Sequence, residues 1–347
     1  MPRRPNLSGN ERYPLERSPF AQKPTQREVA ALLGETRDNL RFLVTHKEHF
    51  IVRRQAVIGK HKKVRDLRYP VSRLRAVHER LKFHLNKIKQ PSYLFSPRKN
   101  RGQRDNAARH LDQRQYLTLD IKQFYPSTTA RMVRRWFRDE MGMYEDVAGL
   151  LTRLSTIDDI VSFGSPLTPV LCTLVHRRMF DEIADACEIR NRSYSVWVDD
   201  LTISGDFVAG DFVRELRNII RKYGLKSHKI QFRTGNRPVY VTGIGIDGDR
   251  VIAPNSLNLR IKTLWHDLSQ SQTVSVRDAQ IQALLAQLGT QLHIVGRSSK
   301  TGRKASDQMN SLRQKRSKMY KQAAAQATVE RLMRSAQGLD EAAEAPF

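Results

Sequence analysis

The sequence predicts an α+β protein in which helices surround an antiparallel sheet and a helical region follows. Three observations carry this expectation. Leu117-Thr118-Leu119-Asp120-Ile121 is an apolar, strand-like run that reaches a carboxylate near its end. Val196-Trp197-Val198-Asp199-Asp200-Leu201-Thr202-Ile203-Ser204 sets two adjacent carboxylates between two β-branched runs, the pattern of a hairpin with Asp199 and Asp200 at its tip. Around these strands, and throughout the chain beyond Pro254-Asn255, apolar residues recur at helical spacing.

The elements can be taken in order. Residues 1–25 carry Pro and Arg without periodicity and predict extended chain. Two short amphipathic helices are expected between 25 and 48, from Val29, Ala30, Leu32 and Leu33 and then from Leu40, Phe42 and Leu43. Phe50-Ile51-Val52-Arg53-Arg54 and the run from Lys63 to Pro70 read as a strand pair around a basic turn. A helix over 72–89 follows, with Leu74, Val77, Leu81 and Leu85 on one face. Helices are expected over 129–140 and 145–154, and over 170–187 after the glycine–proline turn Ser162-Phe163-Gly164-Ser165-Pro166-Leu167-Thr168-Pro169. An amphipathic helix over 211–223 ends at Gly224, and a turn and strand occupy 235–246. Helices near 255–269, 275–293 and 305–336 present Arg260, Lys262, Arg297, Lys300, Arg303 and Lys304, and the acidic end from 338 reads as frayed.

Charge narrows the function classes. Sixty-one Lys and Arg against 35 Asp and Glu leave the chain at +26, which calls for a polyanionic partner, most simply nucleic acid. An anionic membrane surface is the competing partner, but no apolar run approaches a spanning helix and no lipidation motif is present, so no membrane is expected. Met1 to Arg12 is basic without a signal peptide's apolar core. Cys172 and Cys187 lack a metal or redox spacing and read as core thiols of a reducing cytoplasm.

The carboxylates suggest the chemistry. One at a strand end and a pair at a hairpin tip would suit two Mg²⁺ ions, which take hard oxygen ligands and keep positions open for phosphate. Taken alone, Asp-Asp is also an ordinary polar turn.

Together these stretches resemble reverse transcriptases. Residues 119–127 resemble motif A, Trp197-Val198-Asp199-Asp200 resembles the Tyr-x-Asp-Asp motif C, residues 162–169 resemble motif B, and Leu225-Lys226-Ser227-His228-Lys229-Ile230 resembles motif D. Asn106-Ala107-Ala108-Arg109-His110 and Val241-Thr242-Gly243 match the Asn-Ala-x-x-His and Val-Thr-Gly hallmarks of the retron branch. The resemblance implies a right-hand polymerase fold. Fingers would occupy 49–115, a palm with an antiparallel sheet 116–247 (with fingers helices near 129–160) and a helical thumb 248–336. An N-terminal extension 1–48 and a flexible tail 337–347 would flank them.

The resemblance also implies roles. Asp120, Asp199 and Asp200, with Ile121 beside them, would hold two Mg²⁺ ions, with Mn²⁺ as a substitute. Lys229 would be the general acid near the departing pyrophosphate, with His228 as its competitor. Lys63 and Arg65 would meet the triphosphate of a deoxynucleotide, although in so basic a chain each also fits a plain surface role. Tyr125 would exclude a 2′-hydroxyl, and Phe163 and Gly164 would pack on the nucleotide. Asn106, His110, Val241, Thr242, Gly243, Arg260 and Lys262 would contact RNA. The implied partners are a structured non-coding RNA that is both template and primer, the DNA copied from it, and a separate effector protein. The setting would be phage defence in the bacterial cytoplasm.

Two positions depart from the family. Phe163 stands where Gln is usual, and Trp197 where Tyr is. They leave open a catalytically weak RNA-binding scaffold, beside another bacterial reverse transcriptase of the group II intron or a different defence type.

Overall fold

A computed structural model describes residues 12–58, 63–208, 210–235, 238–271 and 273–343. Outside it lie most of the first segment (1–11), the tip of the basic hairpin (59–62), the last four residues, and the side chains of Ile58, Lys63 and 335–343. The chain divides into two compact units, Met1–Asn236 and Arg237–Phe347.

The first unit opens with α1 (Gln26–Leu32) and α2 (Arg37–Thr45). Thr25 and Glu28 form a reciprocal capping box on α1, and Thr36 caps α2, so each short helix has donors satisfied at its start. Strands β1 (Ile51–Ile58) and β2 (Lys63–Pro70) pair as an isolated antiparallel ribbon. Val57 and Val64 near its tip are exposed, so the ribbon projects from the core. α3 (Ser72–Leu85) buries Leu74, Val77, Leu81 and Leu85, the face that its periodicity marks.

There follow β3 (Leu94–Ser96), α4 (Gln103–Ala108), β4 (Gln115–Ile121), the single turn α5 (Phe124–Ser127), and α6 (Ala130–Arg135), which widens into a π-turn over Trp136–Glu140. Next come α7 (Glu145–Ser155), α8 (Thr168–Val175), α9 (Arg177–Glu188), β5 (Ser193–Trp197), β6 (Asp200–Gly205), α10 (Gly210–Lys222) and β7 (Ser227–Thr234). The continuous helix expected over 170–187 is broken at His176. That residue leaves helical geometry (φ −100°, ψ 14°), and its buried imidazole sits 2.9 Å from Thr128 Oγ1. A buried polar partner on another segment has overridden helical continuity.

Five strands form the central sheet in the order β3-β5-β6-β4-β7. Four pair antiparallel, as expected, but β3 joins β5 in parallel, so the sheet is mixed. The connection between those two strands runs through β4 and six helices, the long crossover that parallel neighbours require. On β4, Leu117, Leu119 and Ile121 are buried while Thr118 and Asp120 between them are partly open, which fixes which face meets the core.

The turn before α8 is stitched to β2. Ser162 Oγ donates to the Arg68 carbonyl (2.6 Å), and the Arg68 N–H donates to the Phe163 carbonyl (3.2 Å). Asp158 adds ion pairs to Arg53 (2.9 Å) and Arg68 (2.7 Å). Gly164 has φ +97°, and a β-carbon there would stand 3.1 Å from Tyr69 Cβ.

In the second unit β8 (Val239–Val241), β9 (Ile244–Asp247) and β10 (Arg250–Ile252) form a small meander. The expected single strand over 235–246 is therefore a hairpin. It turns at Thr242 and Gly243, both with positive φ (48° and 84°), the conformation of a two-residue mirror-image turn. α11 (Asn255–Gln270), α12 (Val274–Val295) and α13 (Lys300–Ala343) then pack around Ile261, Ile281, Leu284, Leu288 and Leu312. α13 continues to Ala343, past the point where fraying was expected, through Leu339, Glu341, Ala342 and Ala343, residue types that favour helix.

Because Gly164 is held by both φ and Tyr69, Gly164→Ala is expected to lower unfolding stability by about 1–3 kcal/mol, measured by denaturant titration.

Candidate active site

The register of β4 and β6 sets Asp120 directly opposite Asp200. β5 and β6 are joined by a two-residue tip, Val198 and Asp199, with Trp197 pairing Asp200 across it. Asp199 alone of the acidic pair is thus at the tip, and Asp200 opens the return strand. The Ile121 N–H donates to the Asp199 carbonyl (2.9 Å), which ties the tip to the end of β4. Val198 has φ +60°. That position of such a turn takes glycine most easily, so a β-branched residue there is strained.

A β-bulge shapes the other side. Thr118 pairs with Gln231 and Asp120 with His228, so Lys229 and Ile230 together oppose Leu119. Neighbours on a regular strand point to opposite faces, but here Lys229 takes φ +55° and both His228 and Lys229 reach one carboxylate. Lys229 Nζ lies 2.5 Å from Asp120 Oδ2, and His228 Nδ1 lies 3.2 Å from Oδ1. The Asp120 contact raises the Lys229 pKa and keeps the ammonium charged.

These groups line a cleft of about 750 Å³, whose other walls include Arg65, Tyr125, Phe163 and Trp197. The Arg65 guanidinium sits 4.9 Å from the centre of the Phe163 ring, and Tyr125 meets the same ring edge-on at 5.2 Å. Phe163, one of the two departures from the family pattern, therefore touches both a cation and an aromatic of the cleft. Burial pushes the Tyr125 hydroxyl well above its usual pKa, so it stays protonated. Gln123, Lys122 and Arg68 also line the cleft. Sequence reasoning passed over them because nothing in residue type marks Gln123 for its left-handed φ of 49°.

Electrostatically the floor is over-supplied with negative charge. Burial, then the neighbouring Asp120, raises the Asp199 carboxyl. Asp200 is pushed up to about 6, first by desolvation in the cleft and then by Asp199 and Asp120. Asp200 is exposed as a residue, so crowding among the three carboxylates is the sturdier of these causes. Such a hard-oxygen donor set fits a divalent cation of the magnesium class. As the side chains stand, no three His, Cys, Asp or Glu among the described residues are clustered to hold a metal, and Asp120 is engaged by Lys229 and His228. Ile121 is fully buried, and its main-chain carbonyl is its only donor for a metal.

The remaining expected site residues fall into three groups. Asn106 and His110 are fully buried, as is Val241 in the second unit, so direct contact with RNA is closed to all three side chains. This corrects the expectation drawn from the two hallmark motifs. Val241 fills the core behind the β8–β9 turn, while Thr242 is half-buried and Gly243 exposed on it. Arg260 and Lys262 are exposed on α11. Lys63 opens β2, and its side chain lies outside the described residues.

The raised carboxyls have a pH consequence. A carboxyl whose folded pKa exceeds its unfolded value binds more protons when folded, so stability declines as pH rises between the two values. The buried His78, His84, His110 and His176, whose pKa values burial lowers, act in the opposite sense over the same range, so the carboxyls are read by difference. In EDTA, the melting temperature of Asp200→Asn is expected to gain on that of the native chain as pH rises from about 4 to about 6, in a differential scanning series.

Comparisons with known proteins agree with this geometry. A family model described as reverse transcriptase (RNA-dependent DNA polymerase) matches residues 60–246. The chain is 29% identical over 179 residues to the Retron Se72 reverse transcriptase of Salmonella heidelberg, an alignment covering 51% of this chain and 47% of that protein. It is 27% identical over 290 residues to the Retron Mx65 reverse transcriptase of Myxococcus xanthus (76% and 67%) and 26% identical over 201 residues to the Retron Ec86 reverse transcriptase of Escherichia coli (56% and 62%). The matched region thus spans from about half to two thirds of these relatives' own length. The fold is that of a reverse transcriptase polymerase, with helices on a central mixed sheet. The chain belongs to the reverse transcriptase (RNA-dependent DNA polymerase) family, and its curated relatives place it among the retron-type members.

Proposed function

We propose that this protein is an RNA-directed DNA polymerase that copies part of its own structured non-coding RNA, starting from a guanosine 2′-hydroxyl, into branched single-stranded DNA. The observation that carries the reading is the convergence of Asp120, Asp199 and Asp200 at one end of the sheet, beneath a cleft walled by Arg65, Tyr125 and Phe163. Residues 49–115, 116–247 and 248–336 would act as fingers, palm and thumb.

In this reading the three carboxylates, with the Ile121 carbonyl, would hold two Mg²⁺ ions, or Mn²⁺ in their place. When bound, these supply Lewis-acid activation of the attacking hydroxyl and charge neutralisation at the leaving pyrophosphate. The chain's own groups do the rest. Arg65, held over Phe163, meets the triphosphate from the β2 side. Tyr125, half-buried and edge-on to Phe163, presents a wall to the sugar that a 2′-hydroxyl would strike. Lys229 keeps its proton while paired with Asp120, and gives it to the departing pyrophosphate once that carboxylate is otherwise engaged. Arg260 and Lys262 bind duplex phosphates without reading sequence. The RNA, its DNA copy and a separate effector protein would form a complex acting in phage defence within the bacterial cytoplasm.

The test is the nucleic acid that copurifies with the protein from its native locus, resolved on a denaturing gel with and without ribonuclease. A discrete DNA band that ribonuclease shortens without removing is expected for the native chain. Asp199→Asn and Asp200→Asn should each reduce nucleotide incorporation by about 10²-fold or more. RNA alone in every sample would leave an RNA-binding scaffold.

A further inference from the structure

His110 is placed with unusual economy. It follows α4, is fully buried, and has Nδ1 2.7 Å from Ser204 Oγ and Nε2 2.7 Å from Ser195 Oγ. Ser195 is on β5 and Ser204 on β6, the two strands that meet at the Asp199 tip, and both serines are themselves fully buried. Each serine lies four residues along its strand from the nearer aspartate, Ser195 from Asp199 and Ser204 from Asp200. Ser195 pairs with Thr202, and side chains alternate along each strand, so Ser195, Ser204 and Asp200 share one face of the sheet.

We propose that His110 is a positioning residue that fixes β5 against β6 and thereby holds the aspartate tip in its working geometry. A neutral imidazole has one donor and one acceptor nitrogen, and a serine hydroxyl can serve as either, so a single ring satisfies both strands at once. Val198 makes such a brace necessary. A β-branched residue at positive φ persists only where its surroundings over-determine it, and a sliding of β5 past β6 would relax that strain while moving Asp199. The brace is anchored in turn. Tyr116 Oη donates to the His110 carbonyl (3.0 Å), and Tyr116 lies on β4, the strand that carries Asp120. One buried residue thus references three strands, its imidazole holding β5 and β6 and its main-chain carbonyl held by β4. This gives the Asn-Ala-x-x-His motif a task inside the fold in place of contact with RNA.

The catalytic half of this inference rests on the polymerase reading, whereas the mechanical half does not, so the two are tested separately. Hydrogen exchange is measured on the full chain, without metal or nucleotide, for the native protein, for His110→Leu, and for a Ser195→Ala, Ser204→Ala double variant. Both variants are expected to speed exchange across residues 193–205 by at least tenfold while β1, β2 and α10 exchange as in the native chain. His110→Gln, which keeps a donor and an acceptor, should recover part of that protection. Incorporation by His110→Leu should fall about tenfold in kcat, with the KM for deoxynucleotide and the affinity for the copurified RNA unchanged.

Unchanged exchange over 193–205 in a folded His110→Leu protein overturns the proposal. So does acceleration spread evenly over the first unit in both variants, which would make His110 an ordinary core residue. Lost RNA affinity with a native-like hairpin overturns it as well. A native chain that incorporates no nucleotide defeats the polymerase reading and leaves the exchange result to stand by itself.

Discussion

The structure depends on one unfavourable pairing, two carboxylates facing each other across adjacent strands. Asp120 and Asp200 are direct partners in the β4–β6 ladder, and Asp199 hangs from the turn beside them. Like charges so placed cost a fraction of a kcal/mol to about 1 kcal/mol. Sliding β4 by one residue would part them, but it would also carry its buried Leu117, Leu119 and Ile121 to the other face, where Thr118 and Asp120 now stand half-open. At about 1.5–3 kcal/mol each, those three residues outweigh the repulsion several times over. The core therefore dictates where the charges go.

The surroundings of the trio answer its charge by different means. Lys229 and His228 reach Asp120 through an irregularity in β7. Arg65 stands across the cleft on the projecting ribbon, over an aromatic ring and, among the described residues, in no ion pair. A guanidinium so placed has its donors free for an incoming anion, which suits the polymerase function proposed above. The Asp158 pairs with Arg53 and Arg68 belong to a different task, tying the ribbon's base to the turn before α8.

Much of the architecture was legible in the residues. Strand periodicity around Asp120 and Asp199 gave the sheet's centre, and the apolar stripes on α3 and α10 gave helices that bury those stripes. Local pattern could not reveal what depends on distant partners. The break at His176 arises from a contact with Thr128, and the parallel seating of β3 arises from a long crossover. The burial of Asn106 and His110 belongs to the same class, because a polar pair in and just after a short helix gives no sign of which way it faces. Family resemblance named these residues as distinctive, and their surroundings show that distinctiveness is not the same as exposure.

The bulge in β7 makes the site depend on residue count as much as on residue identity. Substituting Ile230 by another apolar side chain would leave the spacing intact, and His228 and Lys229 would still meet Asp120. Deleting one residue between His228 and Gln231 would restore regular alternation and send one of the two side chains that meet Asp120 to the far face. In evolutionary terms, His228 and Lys229 apart, this strand should bear changes of residue type more readily than changes of length. Descendants of this chain should accumulate replacements here while insertions and deletions collect at the turns on either side.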